Sequence, residues 1–108
     1  LQRLFANLLS NAIYYAASNS VIEIQSVTTS KMATITITNQ LPEPLAQKEA
    51  DKLFERFYRY DKADQHQAGA GLGLSIVQAI AKAHSGTVSI RIKDEYYFEV
   101  TVELPSLR

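Results

Sequence analysis

The hydrophobic positions of this chain follow two different periods, and each period predicts a different kind of element. In residues 1–18 they recur every three or four positions, which predicts an amphipathic helix. Its apolar positions are Leu1, Leu4, Phe5, Leu8, Leu9, Ala12, Ile13 and Ala16. Its opposite, polar arc is predicted to carry Arg3, Asn7, Ser10, Asn11 and Tyr14. The same period predicts a second helix over residues 47–60 and a third over residues 72–83.

Alternation of apolar and polar residues predicts four strands, grouped in two hairpins. The first hairpin covers residues 21–27 and 33–39, and the second lies within residues 88–104. Asn39 shares one face of its strand with Ile35 and Ile37, so its amide is predicted to point at the buried side, where it needs a partner. The order α-β-β-α-α-β-β predicts an α+β two-layer sandwich, with helices packed on one face of a mixed, mostly antiparallel sheet.

Composition narrows the classes of function. The 108 residues suffice for one domain with its own core, and no apolar run reaches the ~20 residues that cross a bilayer. Eleven basic and eleven acidic residues cancel, so we expect no nucleic-acid partner and no direct contact with a membrane. The absence of cysteine excludes a disulfide framework and a thiolate metal site. The chain starts at Leu1 within a helical pattern, so we expect a piece of a longer protein.

Three glycines at alternate positions, Gly69, Gly71 and Gly73, lead directly into the helix predicted over residues 72–83. Glycine lets a backbone come close to a ligand, and the first turn of a helix offers unpaired N–H groups that suit an anion. The stretch is therefore a candidate phosphate site. Its spacing differs from that of a dinucleotide fingerprint, and no Gly-Lys-Ser/Thr follows as in a P-loop. A surface loop that ends in a helix cap is the alternative explanation.

Asn7 and Asn11 lie four residues apart, on adjacent turns of the first predicted helix. Asparagine is a mediocre helix former, because its side chain competes for backbone hydrogen bonds. Its carbonyl oxygen is a ligand that Mg²⁺ accepts together with phosphate oxygens and water. The pair is a candidate metal-phosphate site, although two solvated surface residues would give the same pattern.

Three segments, taken in order, resemble the motifs of one family. They are residues 7–12 (NLLSNA), 53–59 (LFERFYR) and 69–75 (GAGLGLS). They resemble the N box, the F box and the second glycine box of the sensor histidine kinase catalytic and ATP-binding domain. Residues 84–88 (HSGTV) also resemble the glycine-capped helix of that family where it leads into a strand. The resemblance covers nearly the whole chain, and it implies a Bergerat-type α+β sandwich that binds Mg-ATP.

The resemblance also implies a role for each matching position. Asn11 is the expected Mg²⁺ ligand, Asn7 assists the phosphates from the turn before, and Tyr15 packs beside the adenine or ribose. Asn39 takes the place of an aspartate that accepts a hydrogen bond from the adenine amino group. The expected lid covers residues 60–70, and the two phenylalanines of the F-box segment are expected to anchor it. The remaining expected nucleotide-binding residues belong to the lid, its hinge and the helix that follows: Lys62, Gly69, Gly71, Leu72, Gly73 and Leu74.

The implied reaction is transfer of the γ-phosphoryl group of ATP to a histidine on a separate helical dimerisation domain. Neither His66 nor His84 matches the acceptor motif of the family, so the acceptor is expected outside this chain. The receiver domain of a response regulator is the second implied partner. The implied location is cytoplasmic, in a parent protein that is anchored in the membrane.

Four features depart from the pattern of the family. Residues 39–43 contain no glycine where the first glycine box is expected, and Tyr14 stands where a basic residue is common. The lid has no arginine, and Glu95 and Tyr96 replace a glycine-threonine pair near the last strand. These changes remove positive charge and backbone freedom from a site for a polyanion. They leave open a degenerate, non-catalytic module that regulates by protein contact, and an ATPase of the chaperone or topoisomerase type is a third alternative.

Overall fold

The computed structural model describes residues 2–52 and 73–105 of the chain. Its elements, in order, are α1 (Gln2–Tyr15), β1 (Glu23–Thr28), β2 (Met32–Gln40), α2 (Gln47–Asp51), α3 (Gly73–Ala83), β3 (Thr87–Lys93) and β4 (Tyr97–Pro105). The predicted order of elements is confirmed for these residues, while the second half of the predicted helix at 47–60 lies outside them. None of the described helices is long and apolar enough to cross a membrane.

The four strands form one sheet in the order β1-β2-β4-β3. All three neighbouring pairs are antiparallel, which confirms the α+β sandwich with a mostly antiparallel sheet. The parallel component that we expected of a mixed sheet is not among the described strands. Because each hairpin contributes two strands and the hairpins join through β2 and β4, these two strands are central and β1 and β3 are the edges.

Rows of apolar side chains cross the sheet on the face that the helices cover. In one row Ile37 pairs with Val100, and Val100 pairs with Ile90. These three side chains are 2 %, 3 % and 8 % exposed. α1 packs against β2, and α3 packs against β3 and β4. By contrast, all six residues of β1 are exposed, so the core ends at β2.

The buried face of α1 differs from the predicted one. Its buried residues are Leu4, Leu8, Asn11, Ala12 and Tyr15. Phe5 and Ile13, predicted on the apolar face, are instead 39 % and 62 % exposed. The helix packs against both β2 and α3, so the buried arc includes the side that carries Asn11. The prediction that Asn11 belongs to the arc opposite the core is therefore wrong.

The end of α3 has two backbone hydrogen bonds that require one left-handed residue. Ser85 N–H donates to Lys82 O over 3.0 Å, and Gly86 N–H donates to Ala81 O over 2.7 Å. The left-handed residue is Ser85, with a φ of 61°, whereas Gly86, the expected cap, is not in that region. A Cβ added to Gly86 would overlap the main-chain oxygen of Glu103. Gly86 is therefore required by the close approach of β4 and not by its own backbone conformation.

Candidate functional site

Asn39, near the end of β2, is the most buried polar residue in the described part of the chain, with 1 % exposed. It follows Ile37 on the covered face, and its cross-strand neighbour is Phe98. Its Oδ1 has no hydrogen-bond partner among the described residues, and its Nδ2 lies 3.5 Å from Gln40 O, at the outer limit of a hydrogen bond. An unpartnered buried polar atom costs about 1–3 kcal/mol. Packing therefore does not explain this residue, whereas a ligand that donates a hydrogen bond would.

The last turn of α1 lies beside Asn39. Tyr15 is 7 % exposed, and its ring centre is 6.2 Å from that of Phe98, the strand partner of Asn39. Just beyond the helix, Ala17 N–H donates to Gln40 O over 2.7 Å. This bond joins the chain after α1 to β2, which explains why α1 ends at Tyr15 and not near residue 18 as predicted. Two predicted site residues, Tyr15 and Asn39, are thus brought together around one aromatic ring.

Two asparagines occupy the preceding turns of α1, on the side of the helix next to Tyr15. Asn11 is 7 % exposed. Asn7 is half-buried, and its Nδ2 donates to Arg3 O over 2.7 Å. That bond uses the amide donor and leaves the carbonyl oxygen, which is the group that binds a metal ion. Tyr14, in the place where a basic residue was expected, packs edge-on against Tyr15 with ring centres 4.8 Å apart.

The loop after β2, where the first glycine box was expected, is held by its leucines and its main chain. Leu41 and Leu45 are only 2 % and 4 % exposed. Leu41 N–H donates to Tyr96 O over 2.7 Å, and Leu45 N–H donates to Glu95 O over 2.9 Å. Two departures from the pattern of the family, the glycine-free loop and the Glu95-Tyr96 pair, are therefore in direct contact. The spacing of the two leucines around Pro42 and Pro44 is the only sequence signal that could have indicated this anchoring.

Gln47 holds α2 against the edge of the sheet, a contact that the sequence pattern does not predict. Its Nε2 donates to Ile90 O over 2.9 Å, and its Oε1 accepts from Ile92 N–H over 2.8 Å. One side chain thus occupies both hydrogen-bonding groups that β3, an edge strand, presents at this point. This contact fixes the first turn of α2, which leads toward the predicted F box. A single glutamine in a polar stretch carries no pattern that would have revealed it.

The predicted glycine loop is described only from its last residue. Gly73 is the first residue of α3, and Leu74 is 2 % exposed within the core that α1 and α3 share. The other predicted residues of the lid and its hinge, Lys62, Gly69, Gly71 and Leu72, lie outside the described residues, and so does the F-box segment. Their proposed roles therefore rest on sequence.

A recess of about 360 Å³ lies at the same end of the sheet. It is lined by Asn19, Ser20, Val21, Glu23, Thr38, Asn39, Gln40 and Tyr97. Because side chains alternate along a strand, Thr38 and Gln40 point to the face opposite to that of Asn39. Most of the recess therefore lies on the side away from α1.

Within residues 2–52 and 73–105, no three His, Cys, Asp or Glu side chains are grouped as a metal site.

Comparison with known proteins shows the family and the fold of the chain. The model of the family described as "Histidine kinase-, DNA gyrase B-, and HSP90-like ATPase" matches residues 1–108. The chain is 38 % identical over 91 residues to the sensor histidine kinase CusS of Escherichia coli, covering 83 % of this chain and 19 % of CusS. It is 43 % identical over 94 residues to the probable sensor protein PcoS of Escherichia coli, covering 82 % and 19 %. The structure of the mycobacterial sensor histidine kinase MprB superposes with a TM-score of 0.78 at 25 % identity, covering 95 % of this chain and 70 % of that one.

These matches define the class of protein. The chain belongs to the family of histidine kinase-, DNA gyrase B- and HSP90-like ATPases, and the family resemblance drawn from its motifs is confirmed. Within that family it corresponds to the ATPase domain of sensor histidine kinases, the proteins of two-component signal transduction. It spans about a fifth of the length of CusS and PcoS.

Proposed function

We propose that this chain binds Mg-ATP and delivers the γ-phosphoryl group to a histidine of a separate helical dimerisation domain. The observation that carries the nucleotide part is the buried Oδ1 of Asn39, which has no partner among the described residues and lies beside the last turn of α1. A purine amino group is a donor that would satisfy this acceptor. Membership of an ATPase family supports adenine as the natural base.

Each residue of the site then has a defined role. Asn39 Oδ1 accepts a hydrogen bond from the adenine amino group, and Tyr15 packs beside the adenine or the ribose. Asn11 contributes its amide oxygen to Mg²⁺, and Asn7 assists the phosphates from the turn before. Bound Mg²⁺ neutralises charge on the phosphates. To the lid, its hinge and the start of α3 we assign Lys62, Gly69, Gly71, Leu72, Gly73 and Leu74.

The partners follow from the relatives. Because CusS is named a sensor histidine kinase and this chain spans 19 % of its length, we propose that the phosphoacceptor domain belongs to the remainder of the same protein. The receiver domain of a response regulator is then the partner that takes the phosphoryl group onward. We place this domain in the cytoplasm, within a membrane-anchored parent protein, without direct contact with nucleic acid or membrane.

Two observations favour a second candidate function, a non-catalytic module that regulates by protein contact. The loop after β2 is held by two buried leucines and two main-chain bonds, where the family pattern has glycines. Tyr14 packs on Tyr15 where a basic residue would attract phosphate. Both features fit a chain that retains the fold of the family but no longer binds a nucleotide. ATP binding by the chain distinguishes the two candidates.

Calorimetric titration of the 108-residue chain with ATP, in the presence and absence of Mg²⁺, tests the proposal. We expect Mg²⁺-dependent binding that Asn11→Ala weakens about ten- to hundredfold, because a charge-assisted contact is lost. Ser10→Ala is the matched control, since Ser10 is an exposed neighbour on the same helix. The absence of binding at millimolar ATP by the folded chain would favour the regulatory module.

Transfer is tested separately, with radiolabelled ATP and the full-length parent protein. We expect label that is stable to alkali and labile to acid, as phosphohistidine is, and we expect Asn11→Ala to abolish it. Equal labelling of the Asn11→Ala and wild-type proteins would contradict the assigned role of this residue. ATP binding without any labelling would limit the function to nucleotide-dependent regulation.

A further inference from the structure

Asn39 presents a neutral amide, which carries both a donor and an acceptor, at the most buried polar position that the structure describes. We infer that this residue lets the site accept either an amino or a carbonyl group at C6 of a purine, so that hypoxanthine nucleotides bind with an affinity close to that of ATP. This inference rests on the proposed nucleotide-binding function and deepens it, because it names the class of base that the site admits.

The contacts of the Asn39 amide leave its orientation free to adapt. Oδ1 has no partner among the described residues. Nδ2 has only the 3.5 Å contact with Gln40 O, which is long for a hydrogen bond and therefore weak. Rotating the amide by half a turn about its last bond exchanges the two groups and places Oδ1, in place of Nδ2, near Gln40 O. The free chain therefore favours the first orientation weakly, and the two hydrogen bonds that a base supplies are strong enough to reverse this preference.

The neighbours of Asn39 along its strand, across the sheet and in the loop add no preference of their own. They are apolar side chains: Ile37 on the same strand, Phe98 across the sheet, and Leu41 at the start of the loop. Such side chains neither donate nor accept a hydrogen bond with the amide. The bound base therefore decides which of the two groups faces it.

The two bases make complementary demands on this amide. Adenine offers a donor at its C6 amino group and an acceptor at N1, so it pairs with Oδ1 and Nδ2 respectively. Hypoxanthine offers an acceptor at O6 and a donor at N1, so it pairs with the same two atoms after the amide turns over. A carboxylate at this position only accepts, and it would face O6 with an unpaired, negatively charged oxygen. Tolerance of both bases is a property of the amide alone.

The test compares three triphosphates that differ at C6, with calorimetric affinities measured on the 108-residue chain. ATP carries an amino group there, ITP a carbonyl group, and purine riboside triphosphate only hydrogen. For the wild-type chain we expect ITP to bind within about tenfold of ATP. We expect the purine riboside nucleotide to bind about tenfold or more below both, because it leaves one amide group unpaired.

Asn39→Asp should separate the two bases, with ITP about a hundredfold weaker than ATP. Gln40→Glu is the matched control, because it makes the same amide-to-carboxylate change on the next residue, which is exposed. It should leave the ratio of the ATP and ITP affinities unchanged. The comparison of the three nucleotides on the wild-type chain remains decisive if Asn39→Asp does not fold.

The outcomes distinguish this inference from the function on which it rests. If ATP binds and ITP binds a hundredfold more weakly, or if all three nucleotides bind equally, Asn39 does not read C6 in two orientations and the inference is wrong while the proposed function stands. If none of the three nucleotides binds to the folded chain, the proposed function and this inference fail together.

Discussion

At one end of the sheet Gly86 lies just before β3, beside the end of β4, and at the other end Asn39 lies near the end of β2, beside the start of β4. At the Gly86 end, main chain meets main chain so closely that a Cβ would overlap the oxygen of Glu103 and lie 2.6 Å from Leu104 Cδ2. At the Asn39 end, an amide with an unpartnered oxygen takes a place in the core that an aliphatic side chain would fill. The first end is packed for stability, and the second keeps a polar group that stability alone does not require.

The two ends also differ in what holds their loops. The turn from α3 into β3 is held by residues close to it in the chain, because Ser85 and Gly86 donate backbone hydrogen bonds to the last turn of the helix. The loop after β2 depends on distant residues, because its N–H groups donate to Glu95 and Tyr96 on the β3–β4 turn. Substitutions at the Gly86 end should therefore change folding, and substitutions at the Asn39 end should change binding.

Gly86→Ala should produce the largest effect, a loss of about 2–3 kcal/mol in the free energy of unfolding, because the added methyl group overpacks against a backbone oxygen that cannot move freely. ATP affinity of the folded fraction should not change. Urea unfolding of the chain measures the first quantity, and calorimetric titration measures the second.

Ser85→Gly is the matched control for that prediction. Ser85 has the left-handed φ of 61°, so glycine there should be neutral or stabilising by less than about 1 kcal/mol. If Gly86→Ala is tolerated as well as Ser85→Gly, the close approach of β4 is not what requires the glycine.

Asn39→Leu should lower ATP affinity without lowering stability, which is the opposite of what we expect for Gly86→Ala. The leucine replaces an unpartnered amide with an apolar side chain of similar volume, so the free energy of unfolding should stay the same or rise. ATP affinity should fall about tenfold or more, which corresponds to about 1.4 kcal/mol or more. Ile37→Val, two residues earlier on the same face, is the control, and it should lower stability by about 1 kcal/mol without changing affinity. A large loss of stability in Asn39→Leu would mean that the amide is structural.

The contrast between the two ends also explains how far the sequence could predict the molecule. Alternation in β2 and β4 predicted the sheet and placed Asn39 on its buried face, because side-chain direction in a strand depends only on position. The buried arc of α1 was predicted less well. Its position depends on contacts with both β2 and α3, which local periodicity does not contain.

The candidate site shows the same limit. The motifs predicted Asn11, Tyr15 and Asn39, each of which is a single position in a regular element. Contacts between segments far apart in the chain, such as Gln47 with Ile90 or the loop after β2 with the β3–β4 turn, leave no periodic signal. The same reason made Gly86 look like a helix cap. The β4 backbone that requires it comes about seventeen residues later in the sequence, at Glu103.

Glu95→Gly should produce the smallest effect. It tests whether ATP affinity stays the same when the β3–β4 turn, which contacts the loop after β2, becomes more stable. Glu95 and Asp94 have φ values of 65° and 51° in the β3–β4 turn, a conformation that costs a non-glycine residue about 1–2 kcal/mol. Glycine relieves this cost and loses more entropy on folding, so we expect a net gain of about 0.5 kcal/mol in the free energy of unfolding.

The bond from Leu45 to residue 95 uses the main-chain oxygen and survives the Glu95→Gly substitution, so ATP affinity should not change. Glu43→Gly is the variant with which Glu95→Gly is compared, because it introduces a glycine at an exposed position within the loop after β2 itself. A fall in affinity for Glu95→Gly, together with a gain in stability, would show that the strained turn holds the loop in the geometry that binding needs. The two ends would then be linked through β4 and could no longer be treated as independent.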